Sequence, residues 1–156
     1  MFRHLVIPTD GSQIGTKAVL DGINLAKALR AKVTVLTVVR PFHTFSLDPE
    51  MVTETPSVHL QHEEEHKRED LRLAHEAARV AEIHCEHVMT EHDHLSDAVI
   101  DVAKERGCDL VVMPAHDRAG MLRSSHVDSE TVRLLARSEL PVLVLHETSP
   151  SLDRGS

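Results

Sequence analysis

Two short stretches carry side chains able to meet a polar ligand: Thr9-Asp10-Gly11-Ser12, and Met113-Pro114-Ala115-His116, each closing an apolar run. A carboxylate such as Asp10 either accepts hydrogen bonds from sugar hydroxyls or caps a helix that starts beside it. Ser12, Ser129 and His116 supply the hydroxyl and imidazole groups that hydrolases combine. No nucleophile-elbow pattern surrounds either serine, so no catalytic residue is assigned and turnover is not expected.

Histidine is abundant, at 13 of 156 residues. His62 and His66 stand one helical turn apart, and His92-Asp93-His94 is compact. Imidazoles at such spacings suit Zn²⁺ or Ni²⁺, but neither group supplies four ligands. Solvated polar faces are the expected reading, with His62, His66, His92 and His94 kept as weak metal candidates. Several histidines would titrate near neutral pH, which opens a pH response. The two cysteines, Cys85 and Cys108, adjoin apolar segments and read as buried thiols in a reducing compartment.

Composition removes whole classes of partner. The net charge of -8 repels a polyanion, and aromatic residues make up only 2% of the chain, so bases find few stacking platforms. Nucleic acid is not expected as a partner. The opening apolar run is too short for a secretory core or a membrane span, which makes the cytoplasm the expected location, with no membrane contact.

The elements that must hold these residues follow from periodicity. Strands are predicted at His4 to Pro8, Lys32 to Val39, Ile83 to Thr90, Cys108 to Met113 and Leu140 to Leu145. Helices are predicted over 12–31, 57–82, 95–106 and 129–138, with Gly107 as a left-handed stop. Long loops are expected over 41–56 and 114–128, and a frayed tail over 147–156, leaving one domain over 1–146. Strands alternating with helices imply a single doubly wound α/β domain with a parallel sheet and helices on both faces. Ligands in such sheets bind beyond the carboxyl ends of the strands, where the winding reverses.

Taken together, the opening strand into Pro8-Thr9-Asp10-Gly11-Ser12, the Thr37-Val38-Val39 ending, the Asp109 to Met113 strand with His116, and the close from Ser129 through Leu-Pro141-Val-Leu-Val resemble the universal stress protein family over residues 2–146. The resemblance implies a five-stranded sheet of order 3-2-1-4-5, Rossmann-like in the manner of adenine-nucleotide alpha hydrolases, and a stress-response role. It further implies an adenosine site at Thr9, Asp10 and Val38, with Met113 and His116 nearby and Ser129 toward the phosphates. It implies homodimers through the last strand as well, and that strand, Val142, Leu143, Val144 and Leu145, is an aliphatic edge that invites association. A protein partner is a further expectation, presented by the 41–56 loop and the His-rich helix.

The family's phosphate loop runs glycine, two residues, glycine, nine residues, glycine and then serine or threonine. Here Pro114, Asp117 and Asp128 stand at the three glycine positions, and the second spacing is one residue longer. Proline removes an N–H donor. Like charges about 4 Å apart cost about 1 kcal/mol in water and about 4 kcal/mol at a surface-like dielectric, against about 8 kcal/mol for a micromolar complex. Arg118 and Arg123 can offset the two aspartates, and Asp128 serves equally as the cap of the last helix. The expectation is an interaction protein without tight ATP binding or a required cofactor. An ATP or AMP sensor with Mg²⁺, hydrolysing slowly at most, is the alternative, and a His-rich metal-binding protein comes third.

Overall fold

A computed structural model describes residues 1–9, 13–39, 56–115 and 129–145, with 13, 14, 56–64, 66, 67 and 129 described by backbone alone. Chain order is β1 (His4–Thr9), α1 (Gln13–Leu29), β2 (Lys32–Val39), α2 (Pro56–Ala81), β3 (Cys85–Glu91), α3 (Leu95–Arg106), β4 (Leu110–Pro114), α4 (Ser129–Arg137) and β5 (Val142–Leu145). The five strands form one sheet in the order β3-β2-β1-β4-β5, with every pair parallel.

β1 is buried along its whole length, as a central parallel strand covered on both faces must be. Alternate residues along it serve different layers. Leu5 and Ile7 pack with Val19, Ile23 and Ala26 of α1 and Ala74 and Ala78 of α2. Val6 packs with Val99 and Val102 of α3 and Leu134 of α4. Small residues set the helix-to-sheet distance in the first layer: a Cβ on Gly22 would stand 2.3 Å from Ile7 Cδ1. The Ala74, Ala78 and Ala81 stripe of α2 is buried as its spacing requires.

Three helices end alike. Gly107 lies in the left-handed region at φ 69°, as do Arg30 at 54° and Glu82 at 58°. In each case the next residue's N–H reaches back to a helix carbonyl: Ala31 to Ala26, Ile83 to Ala78 and Cys108 to Ala103. That last bond takes Cys108 out of the predicted strand, and β4 begins at Leu110. Pro114, expected in a loop, is instead the last residue of β4, opposite Leu145. Likewise β3 starts at Cys85 rather than Ile83, and β5 at Val142 after a turn in which Ser138 Oγ accepts from Leu140 N–H. The 41–55 and 116–128 segments and the tail from 146 lie outside the described residues.

Candidate functional site

Winding reverses between β1 and β4, since α1 carries the chain from β1 to β2 on one side and β4 pairs on the other. The carboxyl ends of β2, β1 and β4 therefore lie side by side and bring Val38, Thr9 and Met113 to one end of the sheet. Thr9 and Met113 are buried there, and Val38 is half-buried against the core layer that holds Met113. Asp10 and His116 lie outside the described residues, as do Asp117, Arg118, Arg123 and Asp128. Ser129 opens α4.

Backbone donors are few where the resemblance places the start of the phosphate loop. Pro114 has no N–H, and the Ala115 N–H already donates to the Leu145 carbonyl at 2.8 Å. Both positions are therefore committed to closing the sheet against β5.

Next to this end sits a polar junction that periodicity gave no reason to expect. The N-cap of α3, His94, makes no side-chain cap. Glu130, from the first turn of α4, accepts the Ser96 N–H at 2.9 Å instead and stands 3.3 Å from His94 Nδ1. Burial raises the Glu130 carboxyl, but the hydrogen bonds from Ser96 and His94 outweigh it and hold the group below the usual carboxylate range. Asp97 of α3 pairs with Arg133, at 3.5 Å, and with Arg137 of α4. The starts of α3 and α4 are thus fastened to each other beside the strand tips.

Among the described residues the histidine candidates do not converge. His92 Nδ1 accepts from the His94 N–H, while its Nε2 faces Asp101 at 3.9 Å, and His94 faces Glu130. His62 and His66 fall on α2, with side chains outside the described residues. Among the described residues no three metal-ligating side chains gather. Cys85 and Cys108 are free thiols in different layers of the core, and burial pushes both up to about 11. No helix among the described residues is long and apolar enough to cross a membrane.

The sequence model described as "Universal stress protein family" matches residues 1–146. The chain belongs to that family. Among its relatives, universal stress protein MJ0531 of Methanocaldococcus jannaschii is 29% identical over 145 residues, covering 93% of this chain and 82% of that one. The universal stress protein UspA of Lactobacillus plantarum has the same fold, with a TM-score of 0.70 at 24% identity over 92% of this chain and 97% of that one. A universal stress protein crystallised in complex with cAMP scores 0.65 at 24% identity, over 94% and 99% of the two chains. The resemblance carried by the strand endings is thereby confirmed at the level of family and fold.

Proposed function

We propose that this universal stress protein acts in the cytoplasm as a homodimeric binding protein that engages other molecules without turnover and without tight ATP binding. The observation that carries this reading is the commitment of Pro114 and Ala115 to the sheet, the one lacking a donor and the other donating to Leu145. A triphosphate needs several backbone N–H groups converging on its oxygens, and the start of the loop offers none. Asp117 and Asp128, at two of the three glycine positions, add like charge.

Association through β5 is favoured by its position and surroundings. It is an edge strand, and Leu143 on the strand, with Val132 and Leu135 on α4, are exposed apolar side chains. Leu143→Lys is expected to shift the sedimentation coefficient from dimer to monomer, and an unchanged dimer would move the interface elsewhere.

The second reading, an adenine-nucleotide sensor, is favoured by the adjacency of the Thr9, Val38 and Met113 tips and by the relative crystallised with cAMP. Thermal shift with ATP, AMP and cAMP, each with and without Mg²⁺, separates the two. A ligand at 100 times its Kd stabilises by about 2.7 kcal/mol. No shift at millimolar nucleotide removes the sensor, whereas a clear shift with ATP removes the first reading.

A further inference from the structure

At the opposite, amino end of the sheet the His4 side chain is buried on β1. Its Nε2 lies 2.7 Å from Thr34 Oγ1 on β2. The Thr34 hydroxyl donates to Glu86 Oε1 on β3 at 2.8 Å, and Arg106, at the end of α3, donates to Glu86 Oε2 at 3.1 Å. Asp109 fastens the same corner by accepting the N–H groups of Arg3 and His4. One polar chain thus ties three strands and a helix together.

The donor directions in this chain are determined by chemistry. The hydrogen bond from Thr34, with Arg106 alongside, holds the Glu86 carboxyl below its usual range, so Glu86 is an ionised acceptor. Thr34 has a single O–H and directs it at Glu86, so toward His4 its oxygen can only accept. His4 must therefore carry its proton on Nε2. Its Nδ1 is then a bare lone pair, buried and without a hydrogen-bond partner among the described residues. A second proton would go onto Nδ1, toward the Arg106 carbonyl, in surroundings where burial and the Lys32 ammonium disfavour the charge.

We infer that His4 is an acid-sensitive latch: in its neutral Nε2–H form it closes the chain through Thr34 and Glu86 to Arg106, and protonation at Nδ1 loosens the start of the central strand. The groups facing it from each packed element act in both directions. Burial and the Lys32 ammonium of β2 oppose the imidazolium, while Glu86 of β3, the Arg106 carbonyl of α3 and Asp109 ahead of β4 favour it. Burial and Lys32 prevail, so His4 titrates below its ordinary value. The unfolded chain takes up this proton near pH 6.5. Below that pH the unfolded state binds a proton that the folded state refuses, so stability falls with acidification and levels off once the folded state also titrates. Each unit of depression is worth about a tenfold loss in the folding equilibrium constant.

Two measurements on the full chain test the latch. Long-range ¹H–¹⁵N correlation of the histidine rings is expected to show His4 as the Nε2–H tautomer, titrating below 6.5. The Nδ1–H tautomer, or titration at or above 6.5, overturns the inference without any variant having to fold. Urea unfolding at pH 7.5 and 5.5 is then compared with His4→Gln, whose amide N–H keeps a donor toward Thr34 and does not titrate. The wild type is expected to lose more of its folding equilibrium constant on acidification than the variant, by up to about tenfold. His87, also lowered mainly by burial, contributes equally to both proteins and cancels. Parallel losses in the two proteins overturn the latch.

Discussion

Replacing Gly22 with alanine places a Cβ at the closest approach of α1 to the sheet, 2.3 Å from Ile7 Cδ1 and 3.3 Å from Ile7 Cγ1. Ile7 is fully buried, so its tip can move only into packed neighbours. Overpacking of this kind costs about 1–3 kcal/mol, while alanine in place of a helical glycine returns about 1 kcal/mol. Gly22→Ala is therefore expected to lose about 0–2 kcal/mol. Ile7→Val alone removes Cδ1 and costs about 0.5–1.5 kcal/mol through the void it leaves. In the double variant the new Cβ occupies the space Cδ1 vacated, and the gain in helix propensity survives. The double variant should lie within about 1 kcal/mol of wild type and exceed the additive expectation by about 1–2 kcal/mol. Urea unfolding of all four proteins measures this coupling. Additivity within about 0.5 kcal/mol would refute the claim that Gly22 sets the α1–β1 distance. The result bears on the site because Ile7 precedes Thr9 by two residues on one rigid strand.

Glu130→Ala leaves the start of α3 uncapped and should cost about 1 kcal/mol, with faster amide exchange at Ser96; Glu130→Gln, which retains an acceptor, should recover most of the protection. Because Glu130 and Glu86 are both held below the usual carboxylate range, their stabilisation is present above about pH 4.5 and is lost as pH falls through their folded values; acid unfolding of Glu130→Gln should start from lower stability and show a shallower loss. Arg30→Gly and Glu82→Gly relieve left-handed backbone at two helix ends and should each raise stability by about 0.5–1 kcal/mol, read as an increase in Tm. With both thiols pushed up to about 11, about one in a thousand is thiolate at pH 8, so a disulfide reagent should label the native protein slowly and the urea-unfolded protein at once.

Strand and helix order was legible because it rests on local pattern: β-branched runs such as Lys32–Val39 allow no alternative, and Gly107 marks its helix end by residue type alone. Where boundaries moved, a local signal lost to a neighbour. Cys108 is as apolar as the strand after it, yet its N–H belongs to the α3 cap. Pro114 read as a breaker, but a strand's last position tolerates a missing donor. The left-handed ends at Arg30 and Glu82 carry no glycine to announce them. Thr9 and Met113 could be read as neighbouring tips because the carboxyl ends of parallel strands converge by topology, whereas Val38 joined them only through the family resemblance. Glu130, and the chain from His4 to Arg106, were not, since each depends on residues tens of positions apart whose pairing leaves no spacing to read.

The placement of β1 also has a consequence for how the protein is made. Of the five strands of this sheet, the first to be synthesised lies at its centre, and its second neighbour is the fourth: Leu5 pairs with Leu110, and the Arg3 N–H meets Asp109 across 106 residues. At about 5–20 residues per second of synthesis, β1 waits several seconds with the backbone groups of one edge unpaired. Pairing with β2 is available early and shields only one side. The complete β1 pairing therefore cannot form until the fourth strand emerges. Slowing translation before residue 110 should cost soluble yield more than slowing it afterwards.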